Sequence, residues 1–282
     1  MENYIRVTEL AGSEVFHTTV QRLEQTFHFL QPDITQDFTG AAFVELYKNS
    51  RALYQAHFPE MMADYVPIYV SMWKLSAHEM VDLKNMHQDG GIHYFAKNGY
   101  QARMKTLWTN LYKSEQSDTA SEEMGIYVVD CENPDHHALY QQLAKHNTHF
   151  FQRSDHQLCD MRQLGDISVD YDLTSLEQTA FPYKVGTSIQ FNSRMLHGSK
   201  ALTQEGDPDR FRVALTSVWL HRDDLDENVV QKPEAQDEEL FLAACEPSLW
   251  PALLQEKKPI CDREKMRLRL IRDLIATHRE LM

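Results

Sequence analysis

From residue 12 to 31 the apolar side chains Phe16, Val20, Leu23, Phe27 and Leu30 recur at steps of four, three, four and three. That is the period of one face of an amphipathic helix. A second helical stretch is predicted over residues 43–54. The pattern changes at Pro67, after which Ile68-Tyr69-Val70-Ser71-Met72-Trp73 is aromatic and β-branched, as a strand requires. Residues 105–112 alternate polar and apolar side chains, 125–130 form a compact apolar run, and 186–191 and 211–220 complete a set of short strands. The stretches 114–123 and 203–209 are polar and read as loops. After Asp223 the chain turns acidic and irregular, and it ends in residues 262–282, where Met266, Leu270, Leu274 and His278 lie on one predicted helical face among arginines. No internal repeat is present. Helices flanking irregularly spaced strands, without regular strand–helix alternation, predict a mainly β fold with flanking α: a jelly roll with helical buttresses rather than a doubly wound sheet.

Composition narrows the picture. A chain of 282 residues with 42% hydrophobic side chains buries roughly 75% of its unfolded surface and needs no disulfide or structural metal to hold it. One domain is expected, with a helical part over 1–66, a β core over 67–221, and an acidic segment plus helix over 222–282. Lys and Arg number 28 against 42 Asp and Glu, a net charge of −14, and no basic stripe is present, which argues against a nucleic-acid partner. The widely spaced Cys131, Cys159, Cys245 and Cys261 form no C-x-x-C pair, and residues 1–6 lack the layout of a signal peptide, so reduced thiols in a cytoplasmic protein are expected. The longest apolar stretch, 65–73, is interrupted by Pro67 and Ser71 and falls far short of the ~18 residues of a membrane span.

With fourteen histidines, only a constellation carries weight. In His87-Gln88-Asp89, residues two apart on an extended segment point to the same side, so the imidazole and the carboxylate can reach one metal ion. His197, delivered at the end of the 186–191 strand region, supplies a third ligand. Two histidines and one carboxylate form the facial triad of non-haem Fe(II) oxygenases, which leaves adjacent positions open. An H-x-D pair alone fits ordinary surface or core residues equally well. Arg212 adds to the case, because an arginine within Phe211-Arg212-Val213-Ala214-Leu215 is costly to bury without an anion, and its planar fork suits a carboxylate. A salt bridge to an acidic side chain at the barrel mouth is the alternative.

His87-Gln88-Asp89, Thr106-Leu107-Trp108-Thr109, residues 186–191, His197-Gly198-Ser199 and Phe211-Arg212-Val213-Ala214-Leu215 stand in an order and spacing that resembles the phytanoyl-CoA dioxygenase-like Fe(II)/2-oxoglutarate oxygenases over roughly residues 68–221. The resemblance implies a double-stranded β-helix (cupin-like jelly roll) in which His87, Asp89 and His197 bind Fe(2+). It further implies that Arg212 binds the distal carboxylate of 2-oxoglutarate with help from Ser199, and that Trp108 stands beside this cosubstrate. Lys74 is the candidate for its proximal end. The activity implied is hydroxylation or desaturation of a small molecule by dioxygen, with release of succinate and CO2, and Asp89 occupies the position that halogenating relatives leave open for chloride. The stretch 129–136, Val-Asp-Cys-Glu-Asn-Pro-Asp-His, departs from the P-G-S-H pattern usual in such relatives, so substrate class does not carry over.

Other groupings have simpler readings. His146 and His149, with Asp155, His156 and Asp160 nearby, would suit zinc if the two imidazoles shared a helix face, but a solvated or substrate-lining segment is preferred. His136 and His137 read as a loop or helix start. His93, Tyr94, Phe95 and Tyr100 could line the mouth of a pocket, and Arg103, Lys113 and Arg153 could meet a charged substrate. The pocket is expected from loops 90–104, 131–160 and 222–260. Two rivals stay open: a cupin-type metalloenzyme that does not use 2-oxoglutarate, in which Arg212 would face away from the metal, and an inactive binding protein on the same fold. The sequence leaves the oligomeric state undecided.

Overall fold

The computed structural model describes residues 5–30, 42–76, 85–89, 95–114, 121–146, 149–160, 168–200, 210–237 and 258–282. The apolar runs of the middle of the chain form antiparallel sheets. One has the order β1 (Arg6–Glu9), β9 (Thr187–Asn192), β3 (Met104–Lys113), β11 (Phe211–His221), β2 (Tyr65–Ser76). A second has the order β10 (Leu196–Ser199), β4 (Ser121–Val129), β8 (Thr179–Tyr183), and a third β5 (Phe150–Ser154), β6 (Gln157–Asp160), β7 (Ser168–Asp170).

Residues 85–89 sew the last two into one layer. His87 N–H donates to the His197 carbonyl (2.8 Å) and His197 N–H to that of His87 (2.9 Å), while Gln88 N–H donates to the Phe150 carbonyl (2.8 Å) and Gln152 N–H to that of Met86 (2.6 Å). This layer packs on the five-stranded sheet through Ile126 and Val128 of β4 against Ile189 and Phe191 of β9. The result is a double-stranded β-helix with the site between its layers.

β11 sits in the middle of its sheet, paired with β2 and β3. Its near-continuous apolar run reflects burial on both faces. Val213, Leu215 and Trp219 point outward into a core shared with α2 (Phe43–His57). Arg212, Ala214, Thr216 and Val218 point inward to the cavity.

The helices cover the outer face of the five-stranded sheet. α1 (Glu14–Phe27) starts at Ser13, whose Oγ accepts the Phe16 N–H (3.4 Å), and buries Phe16, Thr19 and Leu23. It stops at His28, which takes the left-handed conformation (φ 52°) and closes the last turn on the Glu24 carbonyl. Leu30, expected on the inward helical face, therefore lies beyond the helix and is exposed. α2 buries Phe43, Leu46, Tyr47, Ser50, Leu53 and Tyr54, and α3 (Pro59–Asp64) follows with Pro59 at its first turn. α4 (His137–Lys145) precedes β5, and α5 (Glu227–Val230) follows β11.

The C-terminal helix α6 (Lys258–Leu281) buries Leu268, Ile271, Leu274, Ile275 and His278, whereas Met266 is 54% exposed. The inward stripe steps by three and four, so a face drawn from every fourth residue drifts off it by Met266. β1, β5, β6 and β7 carry no clear signal in the sequence; at three to five residues each, they are too short for a period to register. Among the described residues no helix is long and apolar enough to cross a membrane.

Candidate metal centre and anion pocket

The segment 85–89 is extended, so His87 and Asp89 project to one side and Gln88 to the other. Gln88 is fully buried. Its carboxamide nitrogen donates to Tyr100 Oη (2.8 Å) and the Arg194 carbonyl (2.5 Å), and its oxygen accepts the Phe150 N–H (3.2 Å). These bonds hold the strand that presents the two outer residues. The paired backbone bonds between His87 and His197 then bring their rings to a centroid separation of 4.3 Å.

His87 Nε2 lies 3.5 Å from Asp89 Oδ1, and His197 Nε2 lies 3.3 Å from Asp89 Oδ2. One ligand atom from each of the three residues lies within 4.8 Å of the others, and this is the group among the described residues that could hold a metal ion. Each imidazole has its other nitrogen against an acceptor: His87 Nδ1 against the Asn85 carbonyl (2.7 Å) and His197 Nδ1 against the Met195 carbonyl (2.9 Å). A carbonyl only accepts, so both Nδ1 atoms carry the proton and both Nε2 atoms face an acceptor-only carboxylate. What belongs between them is a proton or a cation.

The electrostatics agree. Burial pulls the His87 pKa down, but the hydrogen bond and charge of Asp89 and the Asn85 carbonyl outweigh it, and the net shift is upward. Burial likewise pushes the Asp89 carboxyl up, and the two imidazoles more than reverse this, holding it well below the usual carboxylate range. Asp89 Oδ2 also accepts from Thr106 Oγ1 (2.7 Å), whose hydroxyl is linked to Ser193 Oγ (2.9 Å). Thr106 appeared in the sequence only as part of a motif. Its polar side chain at an inward position of a strand is the signal that was available. The donor set fits a divalent transition metal: two imidazoles fixed from behind through Nδ1 and one anchored carboxylate.

A cavity of about 400 Å³ opens on this group. Its lining includes His87, Asp89, His197, Ser199, Trp108 and Arg212, so six of the seven predicted site residues converge. Arg212 is 1% exposed. One of its terminal nitrogens donates to Ser199 Oγ, while Nε and Nη1 have no hydrogen-bond partner. Its guanidinium carbon lies 5.1 Å from the Trp108 ring centre and 5.4 Å from that of Tyr183. Burial lowers its pKa to about 10, with the nearby Tyr183 acting in the other direction. Tyr183, which sequence reasoning missed, is fixed by its hydroxyl to the Tyr112 and Val213 carbonyls (2.8 and 2.5 Å). Among the described residues no carboxylate is paired with Arg212.

Gly198 is required by close approach. A Cβ there would meet Asn85 Oδ1 at 2.5 Å and Tyr127 Oη at 2.7 Å.

Several expectations need correction. Lys74 does not reach the cavity: Tyr69, Trp73 and Leu75 of β2 line it, so Lys74 is on the opposite face, with its ammonium 4.2 Å from the Phe211 ring centre. The described wall comes from β2, β3, β4, β10, β11, the 85–89 segment and Arg267 of α6; of the predicted pocket loops, residues 90–94, 147–148 and 238–257 lie outside the described residues. His93 and Tyr94 lie outside the described residues. Phe95 and Tyr100 are buried packing residues. Arg103 binds Asp224 through two nitrogens (3.0 and 2.9 Å), away from the cavity. His146 and His149 do not share a helix, because α4 ends at Lys145. His136 packs at the start of α4, with Nδ1 2.8 Å from the Asp130 carbonyl. Cys131 and Cys159 are free thiols.

No protein-family model matches this sequence, and no curated protein matches it. Among solved structures the chain is similar to HygX from Streptomyces hygroscopicus with nickel and 2-oxoglutarate bound, at 12% identity and TM-score 0.42 over 78% of this chain and 83% of that one. It is also similar to the non-heme alpha-ketoglutarate-dependent carbocyclase SnoK from nogalamycin biosynthesis, at 12% identity and TM-score 0.45 over 78% and 80%. A third is AviO1 from Streptomyces viridochromogenes Tue57, at 9% identity and TM-score 0.43 over 79% and 92%. At such identities the chemistry has to be read from the residues of this chain.

Proposed function

We propose that this protein is an Fe(II)- and 2-oxoglutarate-dependent oxygenase that hydroxylates or desaturates a small molecule. The observation that carries the proposal is the meeting, in one cavity, of the His87–Asp89–His197 group and a buried arginine with two unsatisfied N–H groups. A metal alone would not call for Arg212. A chelating dicarboxylic acid spans the two: one end belongs at the metal, and the distal carboxylate belongs at the guanidinium and Ser199. The resemblance of the motifs to the phytanoyl-CoA dioxygenase-like enzymes points the same way, and so do the neighbours that carry 2-oxoglutarate or depend on it. The cupin-type rival requires Arg212 to face away from the metal group, and here it shares that group's cavity.

His87, Asp89 and His197 would hold iron, which when bound with 2-oxoglutarate supplies dioxygen activation and oxidative decarboxylation to succinate and CO2. The chain's own residues do the rest. The Asn85 and Met195 carbonyls keep both Nδ1 atoms protonated and the Nε2 lone pairs aimed inward, and Thr106 fixes the carboxylate. Trp108 and Tyr183 flank the guanidinium and keep water from competing for its donors. Ile126, Ala214 and Val218 give the cavity dry walls. Asp89 as the third ligand favours oxygen insertion or desaturation over halogenation.

The test is anaerobic titration of the metal-free protein with Fe(II) and then 2-oxoglutarate, reading the weak visible charge-transfer band of a chelated 2-oxo acid. The band should form in wild type and fail in Arg212→Met. Iron binding without the band would leave a metal site that uses another cosubstrate and would overturn the proposal.

A further inference from the structure

Two hydroxyls on the inner face of the five-stranded sheet are left over by the metal group and the anion clamp. Positions 212, 214, 216 and 218 of β11 stand opposite positions 75, 73, 71 and 69 of β2, and all of them except 71 contribute to the lining of the cavity. Ser71, the serine that interrupts the apolar run of β2, shares their face by alternation. Thr216 is 4% exposed and Ser71 is fully buried. The two are direct partners across the strands, yet neither hydroxyl oxygen has a hydrogen-bond partner among the described residues. Buried hydroxyls are seldom left unanswered, because the water each gives up has to be replaced. A pair of them on one rung of an otherwise apolar wall marks the place for a polar atom of a ligand.

Position says which ligand. On its other side β11 pairs Val218 with Thr106, which holds Asp89, and Thr216 with Trp108. Thr216 is therefore one rung, about 7 Å of strand, from the metal group, and two rungs from Arg212. The cosubstrate of the proposed function is drawn towards Trp108, Tyr183 and Ser199, which surround the guanidinium. Between its chelating end and its distal carboxylate it offers only two methylene groups, which accept nothing from a hydroxyl. The β2 side of the cavity is left to the primary substrate. There Tyr69, Trp73 and Leu75 present an apolar, largely aromatic surface, and Trp73 is 38% exposed, so part of an indole remains for a ligand to cover.

We infer that Thr216 and Ser71 are specificity-determining residues, and that the primary substrate has an apolar body lying along Tyr69, Trp73 and Leu75 and an oxygen acceptor, a ketone or a hydroxyl, held by the Thr216–Ser71 pair. This deepens the proposed function and rests on it.

A shape-matched pair of probes tests it: acetophenone, which carries a ketone oxygen, and ethylbenzene, which does not, titrated calorimetrically into anaerobic, Fe(II)-loaded protein saturated with 2-oxoglutarate. Thr216→Val keeps the shape of the side chain and removes the hydroxyl. It should weaken acetophenone about three- to tenfold, the value of one net hydrogen bond, and leave ethylbenzene at its wild-type affinity or tighter, and Ser71→Ala should move the two probes in the same sense. The unliganded Thr216→Val protein should melt no lower than wild type. A lower Tm would show that the hydroxyl is already answered within the protein and would overturn the inference. So would equal weakening of both probes, no change in either variant, or failure of wild type to bind acetophenone at millimolar concentration. Loss of 2-oxoglutarate affinity in Thr216→Val would assign the hydroxyl to the cosubstrate, and the inference would fall on that result too. Absence of the 2-oxoglutarate band in wild type would instead defeat the oxygenase reading, and the comparison of the two probes on metal-loaded protein would still report on Thr216 and Ser71.

Discussion

Replacing Arg212 by methionine should make the unliganded protein more stable and at the same time cripple its response to 2-oxoglutarate. The guanidinium is 1% exposed and two of its nitrogens lack partners. Its pKa falls from 12.5 to about 10, chiefly through burial, and a shift of that size corresponds to about 3 kcal/mol set against the charged form in the folded state. Methionine has a similar length and no charge. Against this stand the two aromatic contacts, which the methionine thioether partly replaces, at a net loss of about 0.5 kcal/mol each. A Ser199 hydroxyl deprived of its donor subtracts about 1 kcal/mol more. The net gain is about 1 kcal/mol, which raises Tm by about 2–4 °C for a chain of this size. With Fe(II) and 2-oxoglutarate the order reverses. Ligand at a hundred times Kd stabilises wild type by about 2.7 kcal/mol. Loss of the arginine's carboxylate pair weakens binding by about 3–5 kcal/mol, so the variant gains almost nothing. Anaerobic thermal unfolding with and without the ligands gives four melting temperatures, and the prediction is that the two curves cross over. A metal-free variant less stable than wild type by more than about 1 kcal/mol would show that Arg212 is structurally compensated, and the argument from its unsatisfied donors would fail. An undiminished ligand shift would place the anion clamp elsewhere.

Thr106→Val removes the hydroxyl that holds Asp89 (2.7 Å) and should weaken Fe(II) about 10–100-fold with little change in unfolding; equal metal affinity in an anaerobic competition titration would refute that role. Gly198→Ala forces a methyl group against Asn85 and Tyr127 and should displace β10 from the 85–89 segment, seen as reduced Fe(II) affinity greater than the loss in Tm alone explains. His278 is fully buried, with Tyr47 Oη 2.6 Å from its Nδ1 and Arg222 3.2 Å from its Nε2. Burial first, and then the charges of Arg222, Arg51 and Arg279, bring its pKa to about 4. The unfolded chain therefore binds the proton more readily, and stability falls as pH drops from about 6.5 towards 4, by at most about 3 kcal/mol; urea unfolding of His278→Gln should show a flatter pH dependence over that window, and parallel curves would refute the assignment. Lys74→Ala should leave 2-oxoglutarate affinity at the wild-type value, since the side chain faces Phe211.

The helices and central strands were legible because their information is local. The spacing of Phe16, Val20, Leu23 and Phe27, or the unbroken run in 211–220, is set by which face of one element is buried, and that needs no knowledge of its neighbours. The H-Q-D triplet, the later H-G-S and the buried arginine carried the chemistry for the same reason, since each residue type is expensive to place by accident in an apolar strand. Gln88 shows the limit. Its neighbours His87 and Asp89 are candidate metal ligands by type and spacing, but that Gln88 ties down the strand through Phe150, Arg194 and Tyr100 follows only from partners up to 106 positions away.

Tertiary structure decided the rest. A shift of one residue in strand register turns every side chain to the other face, and the pairing of β2 with β11, Lys74 opposite Val213, is what sends Lys74 outward and Trp73 inward. Only the reciprocal hydrogen bonds between His87 and His197 bring together two imidazoles separated by more than a hundred residues. Only the docking of α6 carries Arg267 into the cavity. The sequence by itself determined the elements and the kinds of side chain available for chemistry, because both are properties of short stretches. Which of those side chains share one cavity was settled by sheet pairing and helix packing, because proximity across a fold depends on the whole chain.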